Sequence, residues 1–130
     1  ATVGSRVRVR PSVNIEIPWN LQIHDDVTIG DHAILYSLGV IEIGARTIVS
    51  QYAHLSRRTH DYTDRRFPLL RTPITVGHDA WIGADAFIGP GVTVGHYTVV
   101  GARSSAYRSL PDQTVCIGNP ARPAKERELR

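Results

Sequence analysis

Eight of the eleven glycines in this 130-residue chain directly follow an aliphatic residue of a six-residue frame. The series runs Val3, Val9, Ile17, Ile23, Ile29, Leu35, Ile43, Val49, Leu55, Val76, Ile82, Ile88, Val94 and Val100. Every step is six residues except two of eight, from 9 to 17 and from 35 to 43, and one of 21, from 55 to 76. A period so strict specifies a solenoid.

A six-residue unit is a short strand plus a corner, because a strand shows one face at every second residue and the chain must then bend to turn the next aliphatic inward. Two residues before the register positions stand small or β-branched side chains, among them Val27, Ala33, Thr47, Ala53, Ala80, Ala86, Val92, Thr98 and Ser104. Period two places them on the same inward face. Three strands then close one triangular coil of about eighteen residues, and coils stack about 4.8 Å apart with parallel pairing. The expected core is a narrow aliphatic column. The period does not set the hand of this helix, and crossover connections in general are right-handed.

The length suits one domain, and 42% hydrophobic with 21% charged residues is ordinary for a globular chain. No apolar run approaches the roughly 18 residues of a membrane span, and no signal-like segment opens the chain. The single cysteine, Cys116, excludes an internal disulfide framework and fits a reducing compartment such as the cytoplasm. As a small residue in the tail with no base near it in sequence, Cys116 reads as buried rather than nucleophilic. Fourteen arginines and one lysine give a net charge of +3, a mild excess that suits a phosphorylated ligand. Basic residues do not interleave with aromatics as in a base-stacking surface, so nucleic acid is not the expected partner. Residues 1–105 read as the β-helix and 106–130, with Pro111, Pro120 and Pro123, as its C-terminal cap. The first repeat begins at Val3 without a cap, from which an N-terminal portion is expected to precede it.

The interruption between Leu55 and Val76 holds fifteen residues beyond a normal step. A regular coil cannot absorb that length, so residues 56–73 are expected to leave a corner as an extruded loop. It carries His60, Asp61, Asp64 and five arginines. An imidazole beside carboxylates on a loop leaving a rigid column suits a general base, since unperturbed histidine titrates near pH 6.5. The alternative is a solvated loop with an incidental histidine.

The frame, the Thr59-His60-Asp61 loop, Trp81-Ile82-Gly83, the run from Pro90 to Gly95, the segment Val99 to Pro111 and the closing Gly118 to Arg122 together resemble the hexapeptide-repeat acyltransferases. Within them the chain is most similar to the colanic acid biosynthesis acetyltransferases, over about Val9 to Arg127. The resemblance implies an all-β, left-handed parallel β-helix, a homotrimer, and acetyl transfer from acetyl-CoA, as co-substrate and without a metal, to a sugar hydroxyl in exopolysaccharide synthesis. It assigns His60 as the base that removes the acceptor proton, with Asp61 orienting the loop. The stretch before this histidine contains glycine in the family, whereas Arg57-Arg58-Thr59 stands here.

The same resemblance places CoA between two protomers. Trp81 matches a tryptophan near the catalytic loop, Ala84 and Ala102 fall where small residues let the pantetheine arm approach backbone, and Tyr107 and Arg108 stand where threonine and lysine are commoner. Arg122 suits the phosphate or adenine end, because a guanidinium binds phosphate bidentately. Tyr36 and Ser37, in the eight-residue step, are candidates to face the acceptor. Two other classes compete. His78 and His96 lie eighteen residues apart at one frame position and should stack on a corner, which invites comparison with γ-class carbonic anhydrases and their zinc-binding histidines. A catalytically silent trimeric scaffold or binding module is the third class.

Overall fold

The structure, a computed structural model, describes residues 1–56, 59–60, 62–70 and 72–130, without the side chains of residues 59, 60, 69 and 70. The strands form three faces of a parallel β-helix. The first face stacks Thr2–Val3, Leu21–Ile23, Ile41–Ile43, Ile74–Val76 and Thr93–Val94. The second stacks Arg8–Val9, Thr28–Ile29, Ile48–Val49, Trp81–Ile82, Val99–Val100 and Thr114–Gly118. Asn14–Glu16, Ile34–Tyr36, His54–Ser56, Phe87–Ile88 and Ser105–Ala106 make the third. Corner I joins the first face to the second, corner II the second to the third, and corner III the third back to the first.

Register residues of successive coils pair directly across each ladder, as in Ile23↔Ile43↔Val76↔Val94 on the first face and Leu35↔Leu55↔Ile88↔Ala106 on the third. Their side chains fill the column, and from Ile23 to Val100 each is at most 4% exposed. The small residues two positions earlier are equally buried, including Thr47 and Thr98. Burying a hydroxyl requires a partner. Thr47 Oγ1 donates to the Gly77 carbonyl at 2.6 Å and accepts from the Ala80 N–H at 3.1 Å. Those bonds join residues about 30 apart in sequence, so the long insertion leaves the stacking above and below it intact.

The first coil departs from the register expected from sequence. Ile15, not Ile17, pairs with Leu35, and the eight-residue step therefore runs from 15 to 23. Both candidates have the parity of an inward residue, and the stacking on Leu35 selects Ile15. Ile17 instead turns the corner at φ 58°, ψ 60°, directly before the 3₁₀ turn Pro18–Asn20. A β-branched residue in the left-handed region is an outlier that costs roughly 1–3 kcal/mol. Both eight-residue steps and the 21-residue interruption thus fall at corner III, in three successive coils.

Corners I and II are regular, and in every turn but that of residues 10–13 one non-glycine residue adopts positive φ: Arg6, Asp26, Arg46, Asp79, Tyr97 and Gln113 at corner I, and His32, Tyr52, Asp85 and Arg103 at corner II. Tight coil contact at the neighbouring glycine positions excludes a side chain. A Cβ on Gly44 would lie 2.5 Å from the Gly77 carbonyl carbon and the His78 nitrogen, both backbone atoms of the next coil. Gly44→Ala is expected to cost about 1–3 kcal/mol, because ladder hydrogen bonds prevent the coils from parting. At Gly89, where the nearest atom would be 3.3 Å away, alanine should cost much less. Denaturant midpoints of the two variants at equal protein concentration check this ordering.

Beyond Ala106 the column continues through buried Leu110 and Cys116, the latter pairing with Val100 on the second face. The chain then turns through a cis Asn119–Pro120 bond and returns as Ala121–Glu126, antiparallel to Thr114–Gly118. Arg127 fastens this hairpin to corner I by donating to the carbonyls of Asp79, at 2.8 Å, and Tyr97, at 3.0 Å. Among the described residues no helix is long and apolar enough to cross a membrane.

Candidate functional site

The extruded segment leaves corner III as a β-hairpin. Thr59–His60 pairs antiparallel with Leu69–Leu70, in register Thr59↔Leu70 and His60↔Leu69. Its tip is fixed by Asp64, which accepts from the Arg66 N–H at 2.9 Å and from the Arg66 guanidinium at 3.2–3.3 Å. Those bonds hold the Asp64 carboxyl below the usual carboxylate range. Where the returning arm meets the column, Thr72 lies close to Gly91, whose φ of 76° and contact with Thr72 Oγ1, 3.2 Å from a Cβ built there, both favour glycine. His60 therefore sits on an arm anchored at both ends by stacked coils. Asp61, Arg57 and Arg58 lie outside the described residues.

The hairpin is also where the charge resides. Residues 56–73 hold five arginines against two aspartates, leaving ten basic and ten acidic residues in the rest of the chain. Elsewhere three of the nine arginines pair with aspartates along the corners, Arg6 with Asp26, Arg10 with Asp31 and Arg46 with Asp79, at 2.7–3.2 Å. In sequence, the formal excess of +3 thus falls within the segment that carries His60.

A second histidine stands at the root of the same arm. His54 projects outward from the third face, edge-on to Phe87 at 5.7 Å, and its partial burial pushes the imidazole below its ordinary value. The pair eighteen residues apart behaves as the spacing predicts: His78 and His96 stack at corner I with ring centroids 4.0 Å apart. Their Nδ1 atoms are engaged there, that of His78 with the Asp79 carboxylate at 2.8 Å and that of His96 as acceptor from the His78 backbone N–H at 3.0 Å. Among the described residues no group of three or more His, Cys, Asp or Glu converges as a metal site would.

The residues expected to hold the donor fall into three places. Tyr107, Arg108 and Arg122 come together in one cleft of about 320 Å³ between corner III and the C-terminal hairpin, closed by Pro120 and Pro123. Ala84 and Ala102 line a shallow depression at corner II with Tyr52 and Asp85. Trp81 lies half-exposed on the second face between Ile48 and Val99, and its Nε1–H donates to Ser50 Oγ at 2.7 Å. Corner II and the second face are separated from the hairpin by the full width of the third face, so one column does not unite these groups.

On the acceptor side, Tyr36 ends its strand half-buried at corner III, whereas Ser37 is fully buried and its hydroxyl lies 2.8 Å from the carbonyl oxygens of Glu16 and Ile17. Within this chain Ser37 staples two coils and does not face outward. Residues that sequence reading passed over occupy the same corner: Trp19, 71% exposed, and Asn20, whose side chain donates to the Ser37 and Leu38 carbonyls at 2.9 and 3.2 Å. The signal available for them was the eight-residue step itself, once its position on corner III is known.

Residues 73–105 match the family model described as bacterial transferase hexapeptide (six repeats). The "Putative colanic acid biosynthesis acetyltransferase WcaF" of Escherichia coli K12 is 46% identical over 127 residues, which cover 98% of this chain and 70% of that one. The chain belongs to the hexapeptide-repeat acetyltransferases. The galactoside O-acetyltransferase of Escherichia coli K12 is 31% identical over 97% of this chain and 64% of its own length. Among solved structures, a hexapeptide-repeat acetyltransferase of Vibrio cholerae superposes with TM-score 0.92 at 26% identity, covering 98% of this chain and 74% of that one. That protein is also solved in complex with acetyl coenzyme A. The fold is accordingly the left-handed parallel β-helix of this family, and the activity class is acetyl transfer.

Proposed function

We propose that the chain is an acetyl-CoA-dependent O-acetyltransferase acting on a sugar hydroxyl in exopolysaccharide synthesis. His60 removes the proton of the acceptor hydroxyl as its oxygen attacks the thioester carbonyl. The developing oxyanion is met by a backbone N–H or polar side chain, and collapse of the tetrahedral species expels the CoA thiolate, which takes the proton back from His60. No covalent acyl-enzyme forms. Asp61 orients the loop, the Tyr107, Arg108 and Arg122 cleft holds the phosphate end of CoA, and the small residues Ala84 and Ala102 flank the pantetheine arm beside Trp81.

One observation carries the assembly: the hairpin bearing His60 leaves at corner III, while Ala84 and Ala102 stand at corner II, across the third face. A narrow prism cannot bring its own two corners around one cofactor. A neighbouring protomer supplies the missing wall, and a closed homotrimer gives three equivalent sites. The arginine excess on the hairpin adds attraction for the phosphates of the donor.

The test is CoA release from acetyl-CoA against a panel of sugars and nucleotide sugars, with no release for any acceptor overturning the reading. Arg122→Ala is expected to weaken CoA binding with a smaller effect on kcat, because a phosphate contact remote from the thioester supplies mainly ground-state binding. An unchanged CoA dissociation constant would remove Arg122 from the donor site.

A further inference from the structure

Corner III carries a second feature whose construction is not explained by folding. Ile17 is the one β-branched residue among the twelve non-glycine residues at positive φ in the described chain. The turn it opens, Pro18–Asn20, is held from above by the Asn20 side chain on the Ser37 and Leu38 carbonyls, and by the Ser37 hydroxyl beside Glu16 O and Ile17 O. All of that fixing presents one side chain, Trp19. Its indole is 71% exposed and makes no hydrogen bond or ring contact among the described residues. By contrast Trp81, the other tryptophan, is bonded to Ser50. A strained, doubly clamped turn that leaves a tryptophan in water is a site prepared for a ligand.

Its position identifies the ligand class. Trp19 stands two coils below the hairpin on the same corner, about 10 Å along the column at about 4.8 Å per coil. Tyr36 occupies the coil between them. Tyr62 and Phe67 of the hairpin are 85% and 58% exposed, and Tyr107 lies on the corner above. Five of the nine aromatic residues therefore belong to this one edge, Tyr107 in the donor cleft and the other four from Trp19 up to the hairpin. The apolar C–H face of a pyranose ring stacks on an aromatic face, while the rim of the ring keeps its hydroxyls in water.

We propose that Trp19 is a distal acceptor subsite, and that the acceptor is an oligosaccharide lying along corner III with its reacting sugar at the hairpin and a second or third ring on Trp19. The span exceeds one pyranose ring, so a monosaccharide placed for reaction does not reach the indole. This rests on the reading of the chain as a sugar O-acetyltransferase, and its test needs neither acetyl-CoA nor turnover.

The chain has two tryptophans, so a ¹⁵N-labelled sample gives two indole N–H resonances, assigned with Trp19→Phe. Maltotriose, cellotriose and β-1,4-galactotriose are titrated beside glucose and galactose. At least one trisaccharide should shift the Trp19 resonance and not that of Trp81, while the monosaccharides at equal concentration shift neither. Trp19→Ala should weaken that trisaccharide about tenfold and leave CoA binding unchanged, with Trp19→Phe in between. The proposal falls if no trisaccharide moves the Trp19 resonance, or if the monosaccharides move it equally. It falls also if the resonance follows protein concentration instead of sugar, since Trp19 is then a subunit contact. Trisaccharide binding without acetyl transfer to any acceptor would keep the subsite and overturn the transferase mechanism.

Discussion

His60→Ala should lower kcat by roughly 10² to 10⁴ while leaving the CoA dissociation constant nearly unchanged. The base acts on the acceptor proton, so its loss removes transition-state stabilisation and not donor binding. In the wild type, kcat/KM should fall on the acid side with the titration of an imidazole, because only the neutral ring accepts a proton, and His60→Ala should abolish that limb. His54 provides the control. It roots the same arm and burial already favours its neutral form, so a misassigned base would most naturally be this residue. Near-full turnover in His60→Ala with loss in His54→Ala would move the chemistry from the hairpin to the third face, and the hairpin would become a cover over that site.

Leu55→Ala should cost 2–5 kcal/mol of stability, a fall in Tm of about 3–5 °C per kcal/mol in a domain of this size. Leu55 is fully buried, pairs with Leu35 below and Ile88 above, and stands one residue before the buried Ser56 at which the chain leaves for the hairpin. A column only three side chains wide has little freedom to collapse around the cavity, which places the variant toward the costly end. Melting is compared at fixed protein concentration, since assembly adds its own contribution. A loss under 1 kcal/mol would mean that the aliphatic column is not what holds the coils in register, and that the ladders and subunit contacts do.

The chain's own pattern dictates the architecture because six-residue periodicity leaves one way to hide the aliphatics. Every register residue from Ile23 to Val100, and every small residue two positions before them, is inside. The extrusion at 56–73 is legible for the same reason, since fifteen surplus residues cannot lie in a coil. The motif around His60 and the closing Gly118 to Arg122 were sufficient to indicate the family. The register of the first coil was not legible: Ile15 and Ile17 share parity and chemistry, and only pairing with Leu35 separates them. Because that choice was ambiguous, the sequence did not reveal that two eight-residue steps and the hairpin share corner III.

The layout of the site follows from that geometry. Linear order puts His60 closer to Trp81 and Ala84 than to Trp19, whereas the triangular winding sends Trp81 and Ala84 to other sides of the prism and brings Trp19, Tyr36 and the hairpin onto one edge. Ser37 was legible as a polar residue in an irregular step, but only packing shows that its hydroxyl is spent on two backbone carbonyls. Sequence periodicity fixes what faces inward, because burial acts on each residue through its neighbours in the strand. What meets on the outside depends on the stacking of coils 18, 20 or 33 residues apart, and that is decided only once the column closes.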